Sequence, residues 1–311
     1  MLDKNVLIKD IKIIANDLGF PTEATEHLAA KMEIIAADEE SYKAFTDIVA
    51  DYDVRVDIDY PAALEEMKKI SERTGVHEYT CNMLHFLSLC PKLRERYAER
   101  ALSDELFVNT MRDLTFKLNE SFVVHGIWGT FVPKWYARFF KDFDRFFFTR
   151  LQFEPVELKY DCVVDGVELK AGQPALNVHI PRTGTKLDHA EVIESYRQAA
   201  EFYKDRFAEG EPILIVCQSW LLFPKHGEVL NESSNMLAFA RDYTPINTYY
   251  FSDFSSLWRT FDKPYNGNPD EMPADTTLRR AYIDWLKKGE PLGSTYGVII
   301  YENFAKKWTE N

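Results

Sequence analysis

The sequence predicts an α+β protein, with an all-helical domain over residues 1–143 followed over 144–311 by a mixed β-sheet domain with flanking helices. Three observations carry this reading. Apolar residues recur at three- and four-residue steps through the first part, as in Leu7, Ile11, Ile14 and Leu18. From Arg145 the texture changes to β-branched and aromatic runs, FFFTRLQFEPVELKYDCVVDGVELK, around an Asp165-Gly166 pair that specifies a hairpin turn. Pro174 to Tyr243 then reads as strand, loop, helix, strand and second helix, which makes Ala175–Pro181 and Ile213–Trp220 parallel neighbours.

Taken in order, helical periodicity continues around Leu28 to Ala37, Ala62 to Ile70, Tyr79 to Leu89 and Leu106 to Leu118. Pro21 with Thr22, Pro61, and Ser103 with Asp104 mark helix starts, because each supplies a cap or a fixed first turn. After the hairpin, Asp188 caps a helix to Phe207 with Val192, Tyr196, Ala199 and Tyr203 on one face. A short helix is expected near Ser234 to Asp242, a strand over Asn247 to Phe254, a helix over Asp275 to Lys288 and a last strand over Tyr296 to Tyr301. Phe261 to Pro273, rich in Pro, Gly, Asn and Asp, is the longest irregular connection.

The 311 residues are 46% apolar and 14% aromatic, enough to fill two cores. A formal net charge of −13 argues against a nucleic-acid backbone as partner, since that footprint needs a basic face. A small anion needs only a local basic pocket, which Arg182, Lys186, Arg197 and Lys204 can supply. Cys81, Cys90, Cys162 and Cys217 are scattered and give no disulfide framework, so a reducing cytoplasm is expected. No run approaches the roughly 18 unbroken apolar residues of a membrane span, and no membrane partner is expected. His77, Cys81 and His85 stand at four-residue steps on one helix, but three ligands along two turns do not converge on one ion, so no metal is expected.

In open α/β sheets, ligands bind outside the carboxyl ends of parallel strands. Here those ends carry His179, Arg182, Gly184, Cys217, Ser219 and Trp220. His179 and Glu154 are the candidate proton acceptors, each with an alternative structural role at a loop or strand end. Cys217 is either a thiol nucleophile activated by His179, which gives a hydrolase, or a buried inert thiol in the apolar run ILIVC. Ser219 lacks a G-x-S-x-G context and is a hydrogen-bonding group of the cleft. The loop Pro181-Arg182-Thr183-Gly184-Thr185-Lys186 is either a phosphate cradle or an ordinary strand-to-helix turn.

The element order of the second half, with HIPRTGTKLD, CQSWLL, the Ser234-Asn235 pair, RLQFEP and DTTLRRA, resembles a bacterial family. Its members join a helical N-terminal acyltransferase domain to a GNAT-like C-terminal domain. The resemblance implies a GNAT-like sheet and transfer of an acyl group from acetyl-CoA or another acyl-CoA to a small-molecule amine by direct attack. It also implies phosphate binding by Arg182, Gly184, Thr185 and Lys186, although one glycine stands where the superfamily pattern has two. Cys217 and Asn235 would then lie beside the thioester, and Tyr243 would protonate the leaving thiolate. A non-catalytic GNAT-like binding module remains the alternative to an enzyme.

Overall fold

The computed structural model describes residues 2–53 and 59–309, and the chain divides into two compact units between Phe146 and Phe147. The first unit is helical: α1 (Lys4–Asp17), α2 (Thr22–Ala37), α3 (Glu39–Asp51), α4 (Tyr60–Thr74), α5 (Glu78–Glu99), α6 (Asp104–Met111), α7 (Asp113–His125) and α8 (Ala137–Phe140). Side-chain caps fix several starts. Asp3, Asp38, Asp59 and Ser103 accept from backbone N–H groups of the first turns of α1, α3, α4 and α6, and Pro61 lies in the first turn of α4. Every residue of α5 from Thr80 to Cys90 is buried, and α1 to α4 and α6 pack around it. The apolar period of Leu106–Leu118 covers two helices, broken at Arg112.

The His77, Cys81 and His85 stripe takes part in this helical architecture. His77 caps α5 through Nδ1, 3.1 Å from the Tyr79 N–H, while Cys81 and His85 lie in the core. Burial holds His85 down at about 4, so it stays a neutral core side chain. Among the described residues no group of three or more His, Cys, Asp or Glu side chains is placed to hold a metal ion. None of the described helices is long and apolar enough to cross a membrane.

The sheet has strand order β1-β2-β5-β6-β8-β7, formed by β1 (Phe146–Phe148), β2 (Leu151–Glu157), β5 (Pro174–His179), β6 (Leu214–Ser219), β7 (Thr244–Tyr250) and β8 (Gly293–Ile300). A separate ribbon, β3 (Cys162–Val164) and β4 (Val167–Leu169), turns at Asp165 and Gly166, whose φ angles of 49° and 81° are those an Asp-Gly hairpin turn requires. Of the sheet pairs with a defined register, β5 and β6 run parallel; β2–β5, β6–β8 and β7–β8 are antiparallel.

On one face, Leu158, Val164 and Leu169 cover Ala175, Leu214, Val216, Val298 and Ile300. Over the other lies α9 (His189–Tyr203), capped by Asp188 and tied to β2 by Tyr203 O–H to Phe153 O and to the turn before β2 by Arg150 N–H to Ser195 Oγ. Between β7 and α12 (Thr277–Lys288) lies a short α11 (Trp258–Phe261). It is anchored by a second cluster of Leu257, Phe261, Met272, Tyr282, Trp285 and Leu292. α10 (Asn235–Arg241) precedes β7, and α13 (Tyr301–Thr309) ends the described chain.

Three sequence expectations are corrected. β7 spans Thr244–Tyr250 instead of Asn247–Phe254, and a bulge between Pro245 and Asn247 absorbs the proline at its start. β8 begins at Gly293, three residues before Tyr296. Tyr301 opens α13 instead of ending a strand, and its N–H bonds to the Ile213 carbonyl.

Candidate functional site

The sheet opens between its two parallel strands. β5 stays in register with β2 over all six residues, Gln152–His179 to Glu157–Pro174, and β6 stays with β8 from Leu214–Ile300 to Ser219–Thr295. Yet β5 and β6 pair with each other only at Leu176–Ile215 and Asn177–Val216. Beyond that point each strand follows its outer neighbour, and Val178–His179 part from Cys217–Ser219. The ladder between the two parallel strands thus ends inside the sheet, where backbone polar groups line the opening.

Strand alternation decides which side chains share a face of this opening. Glu154 stands across from Asn177, and His179 is two residues further along β5, so all three project to one side. Glu154, only 6% exposed, accepts at Oε1 from Asn177 Nδ2 at 3.3 Å, and His179 Nε2 lies 2.9 Å from the same oxygen. A carboxylate this buried requires such donors. With the proton on Nε2 the imidazole donates to Glu154, and its lone pair is then on Nδ1. A carboxylate that orients a histidine ring in this way is the arrangement found behind many general bases.

Cys217, Ser219 and Tyr243 belong to the opposite face. Cys217 follows Val216, the partner of Asn177, so its side chain projects away from that of His179. It is fully buried, and burial pushes its thiol far up, which keeps it protonated. Of the two readings of Cys217, parity and burial favour the buried inert thiol over a nucleophile activated by His179. Ser219 Oγ accepts from the Leu221 N–H at 3.2 Å and shapes the turn after β6.

Tyr243 lies across Gly297 of β8, where an added Cβ would come within 2.7 Å of the Tyr243 Cβ. Its hydroxyl accepts from that of Tyr196 at 3.1 Å, and burial holds it well above its ordinary value. Tyr196 Oη is also 3.5 Å from Asp242, whose carboxylate lies 2.9 Å from His189 Nε2. Asn235 is half-buried in the first turn of α10.

The loop after β5 is braced from below. Arg150, itself buried, donates from Nη1 to the Pro181 carbonyl at 3.0 Å and from Nε to that of Lys186 at 3.4 Å, holding both ends of the loop. Burial lowers its pKa, with the negative charge of Glu191 partly opposing. Gly184 takes φ +82° with open space around it, and Thr183 and Thr185 hydroxyls meet at 2.8 Å. Lys186 is exposed.

Two features limit this loop as a preformed phosphate cradle. Asp188 already accepts from the Ala190 and Glu191 N–H groups, and Arg182 forks onto Asp262, with Nη2 3.0 Å from Oδ2. Sequence reasoning missed Asn177, Arg150, Asp242 and Asp262. Arg150 lay within the quoted RLQFEP motif, whereas Asp262 had no signal beyond its place in an irregular stretch.

Residues 146–299 match the GNAT-like C-terminal domain, and residues 9–141 match the N-acyltransferase N-terminal domain. No curated protein matches the sequence. Among solved structures, an orf11* acyltransferase mutant in complex with octanoyl-CoA is similar at 22% identity and a TM-score of 0.69, over 94% of this chain and 88% of that one. An acyltransferase in complex with decanoyl-CoA is similar at 21% identity and TM-score 0.59, over 93% and 99% of the two chains. An acyltransferase with decanoyl-CoA and teicoplanin gives 22%, 0.60, 93% and 98%. At such identities these likenesses speak for the fold. With both domain matches in chain order and a sheet that opens between its parallel strands, the chain belongs to the acyltransferases that join an N-acyltransferase N-terminal domain to a GNAT-like C-terminal domain.

Proposed function

We propose that this protein transfers an acyl group from an acyl-CoA to a small-molecule amine by direct attack. The observation that carries the reading is the opening between β5 and β6, with the Glu154–Asn177–His179 cluster on one face. The pantetheine arm of CoA has two amides, which can bond to strand backbone where the β5–β6 ladder ends. The structural neighbours' complexes with acyl-CoA and teicoplanin support an acyl donor and a small-molecule acceptor.

In the reaction the amine nitrogen bonds to the thioester carbon, and the carbon–sulfur bond breaks. His179, oriented by Glu154, takes the amine proton at Nδ1. Tyr243, on the opposite face of the sheet from His179, is the proposed proton donor to the departing thiolate. Arg182, Gly184, Thr185 and Lys186 face the phosphates, and Asn235 lies beside the thioester.

Acyl-CoA supplied with a panel of amines should release free CoA thiol in step with acylated amine. In His179→Ala, kcat should fall about 10²- to 10⁴-fold with the KM for acyl-CoA changed by less than about threefold. Unchanged kcat would remove His179 from the chemistry. A second reading, a non-catalytic binding module, draws on the pairing of Arg182 with Asp262; product formation from any acyl-CoA excludes it.

A further inference from the structure

Arg182, the cation that the proposed reaction assigns to phosphate, is held by a carboxylate of its own chain. Its guanidinium forks onto Asp262, which also binds Arg279 Nη2 at 2.6 Å through Oδ2. Asp262 thus lies between two arginines, as a phosphate oxygen would. The two arginines differ in how firmly they are held. Arg279 is fixed from several sides, with Nε 2.9 Å from the Thr260 carbonyl and Nη1 2.9 Å from Asp275. Asp262 directly follows Phe261, which is buried in the cluster with Met272, Tyr282 and Trp285. Arg182 instead stands on the exposed, glycine-containing loop with 44% of its side chain accessible.

We infer that Asp262 is a parking site for Arg182, competing with the phosphates of the ligand for that guanidinium. The inference rests on the acyl-CoA reading for the identity of the ligand. Release of Arg182 leaves the half-buried Asp262 still paired with Arg279, so no carboxylate is left unpaired by the swing. The Arg182 pair itself is exposed, and such pairs are weak. A diphosphate with more negative charge than one carboxylate therefore wins Arg182, while Asp262 holds it in the empty protein. Asp262 also adopts φ +57°, the left-handed conformation of a helix C-cap, which glycine, asparagine and aspartate occupy more readily than other residues.

Calorimetric titration of the full chain with CoA, and separately with inorganic pyrophosphate, tests this in the wild type, Asp262→Asn, Arg182→Ala and the double variant. Asp262→Gly, equally suited to positive φ, repeats the test without a side chain. Removing the carboxylate should tighten both ligands about two- to fivefold, the equilibrium factor of an exposed ion pair, and the gain should vanish without Arg182. Unchanged or weaker binding in both Asp262 variants overturns the inference and makes Asp262 a support that pre-orients Arg182. Pyrophosphate showing the gain while CoA binds no variant keeps the parking site and refutes the acyl-CoA reading. CoA bound without the gain does the reverse, and no binding of either ligand by any variant overturns both.

Discussion

His189 and Asp242 form a pair whose two members respond to proton binding in the same direction. Hydrogen bonding to Asp242 raises the His189 pKa above its ordinary 6.5, and burial raises that of Asp242 despite the opposing histidine. Each group holds its proton more tightly in the folded state than in the unfolded one. The His189 contribution is therefore complete below about pH 6.5 and is lost as pH rises through the higher folded value. Urea unfolding at several pH values should show wild type and His189→Asn differing most at low pH, with the gap closing above neutrality; a gap that widens with pH would reverse the assignment. Cys217 gives a different kind of residue-scale test. As a buried neutral thiol it fills space, so Cys217→Ala should cost about 1–2 kcal/mol of stability and leave turnover within about twofold. Loss of turnover in a folded Cys217→Ala protein would revive the thiol mechanism.

The loop from Pro181 to Lys186 owes its shape to Arg150, in the turn just before β2. Arg150→Met retains the apolar stem and removes the donors to the Pro181 and Lys186 carbonyls. Unfolding free energy should drop by about 1–3 kcal/mol. CoA affinity should fall about three- to tenfold as the loop loses its fixed ends. A Kd equal to wild type would show that the loop sets its own geometry. Several elements were readable directly from local chemistry. Asp165-Gly166 specified the ribbon turn, Asp188 the start of α9 and Ser103 that of α6. α13 was not, because Tyr301 continues the apolar run of β8 and only tertiary pairing of its N–H with Ile213 ends the strand. The start of β7 was hidden by Pro245, which a bulge accommodates, and the turn into β2 passes through Thr149 at φ +50°, which no turn residue announces.

Over the whole molecule, the helical first part and the strand-rich second part were legible because periodicity is local, and the α+β class follows from them, whereas α3, α11 and α13 were not read. The site was legible only as a set of strand ends. Register decides that Glu154, Asn177 and His179 face one side and Cys217 the other, and register comes from long-range pairing that a single sequence does not display. The same applies to Arg182, whose partner lies 80 residues away in an irregular segment. The chain's net charge of −13 makes any affinity for a polyanion a local matter of the opening and its loop. If the opening between β5 and β6 seats acyl-CoA, calorimetric titration of the wild-type protein with acetyl-, octanoyl- and decanoyl-CoA should show it. Saturable one-to-one binding of at least one donor is expected at micromolar Kd, about −8 kcal/mol, abolished by a bulky Gly184→Trp substitution in the loop. Folded protein that binds none of the three would contradict that seating.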